Sequence, residues 1–363
     1  MKKIKFMLVG GFLGAGKTTA LCRLARYFTG KGLRVGLITN DQADNLVDTH
    51  LVKIEGFNVE EIAGGCFCCK FNDLVKAADK LIAKVKPDII LAEPVGSCTD
   101  LVATVIKPLK LYHKDNFRVA PYTTLLDPRR AKEMIVSGKF GGFSRNVAYI
   151  FRKQLEESDI IALNKIDALS PEESRDLLSL LRKKFPNSKI IGISCRTGKG
   201  FSYLVNAVEA EKSGSNILDL DYDIYARGEA ELGWLNSVAE LCGKVPFSTE
   251  KFLKALTLRM KSSLNEIPAE IAHLKLALST GLGNSLIHLT RSSQGLEFFK
   301  KESGKSIKAR LIVNARVNVD PEALSGIFID VLNKLCKEEG VGFRIRSQQY
   351  FRPGRPVPVY RIT

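Results

Sequence analysis

A glycine-rich loop near the start of the chain constrains the fold more than any other feature. Residues 11–18 read Gly-Phe-Leu-Gly-Ala-Gly-Lys-Thr, which satisfies the phosphate-loop pattern Gly-x-x-x-x-Gly-Lys-Ser/Thr in full. The apolar run Lys5–Gly10 precedes the loop, and an amphipathic helix is predicted over Lys17–Phe28. The backbone N–H groups of such a loop, with the positive end of the helix, bind phosphate. The sequence therefore predicts a nucleoside triphosphate site.

The side chains of this loop match that chemistry. Lys17 supplies a cation for the β- and γ-phosphate oxygens, and the Thr18 hydroxyl is a typical Mg²⁺ ligand. We therefore predict catalytic roles for Lys17 and Thr18, and metal binding by Thr18. The predicted nucleotide-binding residues of the loop are Gly11, Gly14, Ala15, Gly16, Lys17, Thr18 and Thr19.

Short apolar runs alternate with helical patterns over the first 212 residues. The predicted strands are Lys5–Gly10, Arg34–Thr39, Asp88–Ala92, Val119–Leu126, Ile160–Leu163 and Lys189–Ile193. The predicted helices are Lys17–Phe28, Phe71–Lys84, Phe143–Glu157, Pro171–Lys184 and Phe201–Val208. Strands without polar alternation are typical of a parallel sheet covered on both faces. We predict an α/β fold: a P-loop NTPase domain with a doubly wound, mostly parallel sheet, followed by a second, smaller α+β domain.

The pattern changes at a Lys-Ser-Gly-Ser stretch, so we predict domains 1–212 and 213–363. In the second domain, the predicted helices are Glu229–Leu241, Thr249–Lys261, Pro268–Leu278 and Asp320–Cys336. Its predicted strands are Ser285–Thr290, Ala309–Val319 and Gly342–Arg346. The single tryptophan, Trp234, is expected either to be buried at the start of a helix or to face a partner.

A second motif indicates which base is bound. Residues 164–167 read Asn-Lys-Ile-Asp directly after the predicted strand Ile160–Leu163. A carboxylate at Asp167 can accept hydrogen bonds from N1–H and the 2-amino group of guanine, whereas adenine would leave it unpaired, which is costly. The motif therefore favours GTP. The predicted base-site residues are Asn164, Lys165, Asp167, Ser194 and Cys195, the last two as backbone support.

Acidic residues follow several predicted strands. Glu93 begins the sequence Glu-Pro-Val-Gly, and its carboxylate is predicted to serve Mg²⁺ and catalysis at the carboxyl edge of the sheet. Gly96 is predicted to let a backbone N–H approach the γ-phosphate. Asp41 is a second candidate near the metal ion, and Asp127 is a weaker one.

Three cysteines crowd into the loop Gly-Gly-Cys-Phe-Cys-Cys. Cys66, Cys68 and Cys69 precede a predicted helix, where the helix dipole favours thiolates. Three thiolates suit a transition metal, with Zn²⁺ or Co²⁺ foremost, and a fourth position open for transfer. A buried core cluster and a redox switch are the alternatives. The remaining cysteines are expected to be plain core or surface thiols; they are Cys22, Cys98, Cys195, Cys242 and Cys336.

Composition limits the function classes. Eight cysteines in 363 residues are too few for a disulfide scaffold, which predicts a reduced, cytoplasmic protein. The apolar run Phe6–Ala15 leads into the phosphate loop and not into a cleavage site, and no run is long enough to span a membrane. The net charge of +16 suggests an acidic partner. Without a nucleic-acid-binding motif, however, nucleic acid is an unfavoured partner.

The order of these motifs resembles the CobW-type metallochaperone GTPases, relatives of UreG and HypB. The resemblance covers residues 4–210 and rests on the phosphate loop, Gly-Cys-x-Cys-Cys, Glu-Pro-x-Gly and Asn-Lys-x-Asp. It implies slow GTP hydrolysis with Mg²⁺, and a metal ion that is held by Cys66, Cys68 and Cys69 and delivered according to the nucleotide state. Two departures stand out: Asp41 replaces the usual longer carboxylate after the second strand, and histidine-rich stretches are absent.

The leading hypothesis is therefore a GTP-dependent metallochaperone or metallocofactor insertase with a client metalloprotein. One alternative is a GTPase that assists maturation or reactivation of a corrinoid protein. Another is a redox-sensing regulatory GTPase. A nucleotide-dependent homodimer is an arrangement that the sequence leaves open.

Overall fold

The structure is a computed structural model, and it describes residues 2–42, 47–210, 213–214, 216–292, 295–300 and 304–363. Its helices are α1 Lys17–Gly30, α2 Val47–Ile54, α3 Phe71–Val85, α4 Lys107–Tyr112, α5 Pro128–Ala131, α6 Arg145–Glu156, α7 Pro171–Lys184, α8 Phe201–Ala210, α9 Tyr222–Ala230, α10 Thr249–Asn265 and α11 Pro321–Glu339. Its strands are β1 Ile4–Gly11, β2 Val35–Asn40, β3 Asn58–Ile62, β4 Ile89–Glu93, β5 Phe117–Val119, β6 Thr123–Leu126, β7 Ile160–Leu163, β8 Lys189–Gly192, β9 Gly233–Ser248, β10 Ile271–Ser279, β11 Asn284–Leu289, β12 Glu297–Lys300, β13 Lys305–Val317 and β14 Val341–Phe351. Within these described ranges, no helix combines the length and apolar character needed to cross a bilayer.

The chain forms two compact units, and each is assembled from separate stretches of sequence. The first consists of Met1–Gln42, Leu51–Gly228 and Arg355–Thr363, and the second of Ala43–His50 and Glu229–Gly354. This division differs from the single cut predicted at residues 212 and 213: the main change falls between Gly228 and Glu229, residues 43–50 group with the second unit, and the last residues of the chain group with the first.

The first unit contains a parallel sheet whose described strands run in the order β3-β2-β4-β1-β6-β7-β8, with β5 also paired to β1. Most of its strands are apolar, and the core residues Leu21, Leu91 and Ile193 are all fully buried. Burial of each such side chain contributes about 1.5–3 kcal/mol. The predicted α/β fold with a mainly parallel sheet is therefore confirmed, and the carboxyl ends of the strands meet at one edge.

Two features of this sheet differ from the sequence-based expectation. The predicted strand Val119–Leu126 is two strands, β5 and β6, because Pro121 lies between them and a proline has no N–H to donate to a ladder. The edge strand β3 was not predicted. Its first four residues are half-buried and include Glu60 and Glu61, so it lacks the apolar run that marks the central strands.

The second unit contains an antiparallel sheet in the order β12-β11-β10-β13-β9-β14 among the described residues. Helices α10 and α11 contribute Phe252, Leu256, Phe328 and Leu332 to the same apolar core as the sheet residue Leu276. This arrangement confirms the smaller α+β domain as a fold class.

Two helices predicted for this unit are wrong. Residues of the predicted helix Glu229–Leu241 form much of β9, and those of Pro268–Leu278 form most of β10. Both strands are central and pair on two sides, so non-local pairing overrides the local helix preference of leucine and alanine. Trp234 is on β9 and buried, with the Arg316 guanidinium 3.9 Å from its ring centroid, so it does not face a partner from a helix.

Candidate functional site

The phosphate loop follows β1 and leads into α1. Three of its glycines have positive φ angles: Gly11 at 130°, Gly14 at 79° and Gly16 at 97°. A Cβ atom on Gly16 would lie 2.5 Å from Nδ2 of Asn164, so this position has no space for a side chain. The loop conformation therefore depends on glycine for both its backbone angles and its close contacts. Ala15 is buried in the loop, and Thr19 lies half-buried in the first turn of α1.

Lys17, Thr18 and Glu93 meet at the carboxyl edge of the sheet. The Thr18 hydroxyl donates to Oε1 of Glu93 at 3.2 Å, and Nζ of Lys17 lies 4.0 Å from the same oxygen. Lys17 also donates to the Gly11 carbonyl at 3.0 Å. Gly96 lies close by, because a Cβ atom there would be 3.0 Å from Nζ of Lys17. The predicted phosphate and magnesium residues from two distant parts of the chain thus form one buried cluster.

The other two acidic candidates lie along the same sheet edge. Asp41 follows β2 directly, and Thr39 of that strand is the register partner of Glu93 on β4. The carboxylate of Asp41 accepts the N–H of Gln42 at 2.6 Å. Asp127 caps α5 and forms an ion pair with Lys165 at 2.9 Å, so its contacts indicate a role in holding the base loop.

Asn164 and Lys165 connect the base motif to the phosphate loop. Asn164 donates from Nδ2 to the Ala15 carbonyl at 2.9 Å, and its Oδ1 accepts the N–H of Cys195 at 2.9 Å. Lys165 donates to the Gly14 carbonyl at 3.0 Å. These bonds bring together three segments that the sequence analysis assigned to one nucleotide site.

Asp167 stands at the outer end of the base motif, where it forms an ion pair with Arg196. Burial opposes its ionisation, but the Ser194 hydroxyl and the Arg196 guanidinium together hold the pKa of Asp167 below its ordinary value. Ser194 is buried, and burial raises the pKa of the Cys195 thiol to about 12, so that thiol is inert as an acid. The ionised carboxylate of Asp167 is suited to accept hydrogen bonds.

The residues present fit a guanine nucleotide with Mg²⁺. Oδ1 of Asp167 is buried and accepts no hydrogen bond within the described part of the chain, which is the state expected of an acceptor reserved for a base. A Cβ atom on Gly11 would lie 2.4 Å from the Leu125 carbonyl oxygen and one on Gly16 would lie 2.5 Å from Nδ2 of Asn164, so the loop can keep this conformation only with glycine at both positions. Thr18 and Glu93 provide the oxygen donors that Mg²⁺ prefers.

The three loop cysteines converge. Their sulfur atoms all lie within 4.8 Å of one another. Sγ of Cys66 is 2.8 Å from Sγ of Cys68 and 3.3 Å from Sγ of Cys69. Cys66 and Cys68 are buried, whereas Cys69 is only partly so. Three thiols in one place, with one edge open, can hold a soft or borderline metal ion.

Hydrogen bonding divides the acidity of these thiols unequally. Hydrogen bonds with Cys68, Cys69 and Cys98 hold the pKa of Cys66 well below its ordinary value. The hydrogen bond to Cys66 raises the pKa of Cys68, and the corresponding bond raises the pKa of Cys69 to about 11. Of the three thiols, Cys66 is therefore the one that ionises most readily. Because a thiolate is the form of cysteine that binds metal, Cys66 is the first candidate ligand.

Two groups near the site were missed by sequence reasoning. The buried Gln154 amide donates to the carbonyls of Gly96 and Cys98, at 3.0 and 2.8 Å, and so holds the Glu93–Gly96 loop. A glutamine on the apolar face of α6 was the available signal. The N–H of Val357 donates to Sγ of Cys69 at 3.2 Å, across 288 residues of sequence that no local pattern connects.

Comparison with known proteins agrees with these motifs. The family described as CobW/HypB/UreG, nucleotide-binding domain, matches residues 5–191. The zinc-regulated GTPase metalloprotein activator 1 of Dictyostelium discoideum is 24% identical over 218 residues, which is 52% of this chain and 46% of that protein. The zinc chaperone YeiR of Escherichia coli strain K12 is 30% identical over 178 residues, covering 47% and 49%. The zinc chaperone CobW of a Sinorhizobium species is 29% identical over 206 residues, covering 51% and 58%.

The chain spans about half the length of these relatives. The family match extends over the phosphate loop, the cysteine loop and the base motif, and includes most of the parallel sheet. The chain therefore belongs to the CobW/HypB/UreG family defined by this nucleotide-binding domain.

Proposed function

We propose that this protein is a GTPase that acts as a metal chaperone, binding a transition metal at Cys66, Cys68 and Cys69 and delivering it according to the nucleotide state. The observation that carries this proposal is the convergence of the three sulfur atoms within 4.8 Å in the same unit as the phosphate loop. A structural core would not need three thiols at one partly open position.

In this proposal, the cluster of Lys17, Thr18 and Glu93 at the sheet edge binds and hydrolyses GTP. Bound Mg²⁺ supplies charge neutralisation at the phosphates. Lys17 stabilises negative charge on the phosphate oxygens, Thr18 and Glu93 hold the metal region, and Asp167 selects guanine. The backbone near Ser194 and Cys195 supports the base, and Gly96 leaves room beside the γ-phosphate. No arginine finger or water-positioning glutamine is apparent in the sequence, so we expect slow intrinsic hydrolysis.

Zn²⁺ is the first candidate for the metal ion that is transferred. Three thiolates match the ligand preference of Zn²⁺, and the relatives named as zinc chaperones support the same choice. Co²⁺ is the second candidate, because it accepts similar ligands and geometry. An incomplete ligand set allows the ion to leave for a client.

A buried asparagine supports coupling between the two halves. Nδ2 of Asn40 donates to the Ile62 carbonyl at 3.0 Å and to the Gly65 carbonyl at 2.7 Å. Asn40 is adjacent to Asp41, and Gly65 is adjacent to Cys66. A movement of Asp41 toward Mg²⁺ would therefore shift the cysteine loop through two hydrogen bonds, an order–disorder or positional switch of the type known in GTPases.

The second unit is our candidate for client binding, with a metalloprotein or a corrinoid protein as the client. A homodimer that forms in one nucleotide state is the arrangement we propose to test alongside it. Size-exclusion chromatography with light scattering in GDP and in a GTP analogue measures the oligomeric state directly.

The central experiment is a competition titration of Zn²⁺ against a chromophoric chelator, with GDP or a non-hydrolysable GTP analogue bound. We expect an affinity difference of at least about tenfold between the two states, within the usual range for allosteric coupling. Equal affinities would contradict coupled delivery. A Cys66→Ser variant should lose tight binding in both states, and Cys336→Ser, a buried thiol of the second unit, is the matched control.

The redox alternative has one supporting observation. Cys66 and Cys68 approach to 2.8 Å between sulfur atoms, closer than the adjacent pair Cys68 and Cys69 at 3.8 Å. Mild oxidation followed by mass mapping distinguishes the two functions. A reversible Cys66–Cys68 disulfide that alters GTP hydrolysis, with no tight Zn²⁺ binding, would favour the redox switch.

A further inference from the structure

A segment without helix or strand, residues 355–363, lies against the cysteine loop, and we call it the strap. It belongs to the same unit as that loop. The N–H of Val357 donates to Sγ of Cys69 at 3.2 Å, and the N–H of Val359 donates to the Cys68 carbonyl at 2.9 Å. Cys69 is the one loop thiol that is only partly buried, so the strap lies at the open edge of the cluster.

Two prolines decide which backbone groups of the strap can donate. Pro356 and Pro358 have no N–H, and Pro358 also disfavours a helical conformation at Val357. The neighbouring donors therefore alternate along the backbone, at Val357 and Val359, and both are used on the cysteine loop. The side chain of Val357 is 72% exposed, so the contribution of this residue is its backbone N–H and not apolar burial.

An ion pair anchors the strap beyond these two bonds. Nε of Arg361 donates to Oδ2 of Asp100 at 2.7 Å, and the same guanidinium donates to the Leu218 carbonyl at 2.8 Å. The Asp100 side chain is 1% exposed, and a carboxylate buried in this way is costly without its cation. The ring of Tyr360 packs edge-on against Phe71, the first residue of α3, with 5.3 Å between centroids. These contacts fix the strap beside the cysteines.

We propose that the strap is part of the metal site: the Val357 N–H stabilises the Cys69 thiolate when that thiolate binds the ion, and Arg361 is the positioning residue that holds this donor in place. This inference rests on the proposed function, since it assumes that the three loop cysteines bind the ion. It adds a hydrogen-bond donor and its anchor, both from a segment far along the chain.

The physical reason is the charge of the site. Three thiolates bring more negative charge than one Zn²⁺ ion neutralises, and a backbone N–H aimed at one sulfur offsets part of this excess. Hydrogen bonds to metal ligands also fix their orientation, and losing one typically costs about 10–100-fold in metal affinity. Retention of the ion therefore depends on the strap, and release is faster when the strap lifts from Cys69.

Two substitutions at one position isolate the donor. Val357→Pro removes the N–H and keeps a residue that suits a non-helical backbone, whereas Val357→Ala keeps the N–H and removes only an exposed side chain. In Zn²⁺ competition against a chromophoric chelator, we expect Val357→Pro to bind at least about tenfold more weakly and to lose the ion faster. Val357→Ala should retain the wild-type affinity.

Co²⁺ loading of the same variants gives a spectroscopic signature. Loss of the N–H···S bond raises the energy of the sulfur lone pairs, so the thiolate-to-cobalt band of Val357→Pro should move to lower energy. Its intensity should be unchanged, because the number of bound thiolates is the same. A variant that merely lost a ligand would instead lose intensity.

The anchor is tested separately. Arg361→Ala should weaken Zn²⁺ binding and speed alkylation of Cys69 in the metal-free protein, as followed by mass mapping. Arg361→Lys keeps a cation for Asp100 and should restore most of both properties. Arg259→Ala, which removes an exposed ion pair with Glu338 in the second unit, is the control.

The outcomes separate the two levels of the proposal. Equal Zn²⁺ affinity and band position in Val357→Pro and Val357→Ala, with Cys66→Ser defective, would overturn the role of the strap and keep the three-cysteine site. No Zn²⁺ binding by the wild type, or none that depends on Cys66, would overturn the proposed function itself. If Val357→Pro fails to fold, the Arg361 variants decide: wild-type Zn²⁺ affinity and Cys69 alkylation in Arg361→Ala exclude the strap, and a loss that Arg361→Lys restores supports it.

Discussion

The hydroxyl of Thr18 donates a hydrogen bond to Oε1 of Glu93 at 3.2 Å, across 75 residues of sequence. This bond joins the first turn of α1 to the end of β4, which are adjacent because β4 pairs with β1 in parallel register. Two candidate Mg²⁺ donors are thus in contact with each other. A metal ion that binds here must replace their mutual bond, which makes the position of Glu93 sensitive to the nucleotide state.

Replacing the carboxylate tests that relationship. Glu93→Gln keeps the shape of the side chain and an acceptor for Thr18 but removes the charge. We expect a loss of at least about 100-fold in Mg²⁺-dependent kcat for GTP hydrolysis, as for removal of one group that stabilises transition-state charge. GDP affinity measured without Mg²⁺ should change little. Glu209→Gln, at a surface ion pair with Lys5, is the control, and a similar loss in that variant would argue against a specific role for Glu93.

Base selectivity should depend on Asp167. Asp167→Asn replaces an acceptor with an amide that can donate to the 2-oxo group of a xanthine base. Affinity for GTP should fall by at least about 100-fold, because the guanine donors lose their partner. Affinity for xanthosine triphosphate should rise, as measured by competition with a fluorescent nucleotide. Unchanged discrimination between the two nucleotides would remove Asp167 from the base site.

The phosphate loop should not tolerate a side chain at Gly16. Gly16→Ala forces a side chain into a left-handed conformation at φ 97° and places Cβ 2.5 Å from Nδ2 of Asn164. We expect the free energy of unfolding to fall by about 1–3 kcal/mol and nucleotide binding to be lost. Gly30→Ala at the end of the same helix meets no atom within 4 Å and should be neutral or slightly stabilising. Thermal unfolding and nucleotide titration measure both, and equal behaviour of the variants would contradict the expectation.

Glu157 should make stability depend on pH. Its carboxyl is fully buried and accepts hydrogen bonds from Thr99 Oγ1 and the Val102 N–H, each at 3.1 Å. Burial, opposed by these bonds and assisted by the negative charge of Asp100, raises the pKa of Glu157 from 4.5 to about 8. The buried Tyr122 is a further titratable group that interacts with it.

The folded chain therefore keeps the Glu157 proton over a range in which the unfolded chain has lost it. The stabilisation is complete below about pH 4.5 and declines as the pH rises toward about 8, by a few kcal/mol in total. Glu157→Gln should remove this decline from the free energy of unfolding measured in urea between those pH values. The neighbouring Glu156→Gln should retain it. If the free energy of unfolding of Glu157→Gln declines with pH as steeply as that of the wild type, the pH dependence comes from another group.

Local sequence patterns were sufficient to predict the strands and helices that carry the nucleotide-site residues of the first unit. The strand, loop and helix around Lys17, and the strand before Asn164, are encoded in consecutive residues, so periodicity and glycine spacing predict them directly. The edge strand β3 was missed because an edge strand tolerates charged residues and so needs no apolar run. The break at Pro121 was missed because a proline interrupts a strand only where its backbone would have to donate to a neighbouring strand, which the local sequence does not show.

The second unit shows the opposite case. The segments that form β9 and β10 are rich in residues compatible with helices, and only their partners on both sides select strands. Alternation of Leu274, Leu276 and Leu278 was a local sign of β10, but it competes with leucine's helix preference. Pairing energy of this kind comes from residues far along the chain and is invisible in a short window.

The sequence by itself determined the chemistry: a phosphate loop, a guanine-type motif and three adjacent cysteines specify which atoms are available. Only the tertiary structure decided which of these atoms share a site. It brought Glu93 to Thr18, Asn164 to Ala15 and Val357 to Cys69, each across a long stretch of chain. The physical reason is that parallel strands deliver distant loops to one edge of a sheet, and that delivery depends on long-range strand order, which no local pattern contains.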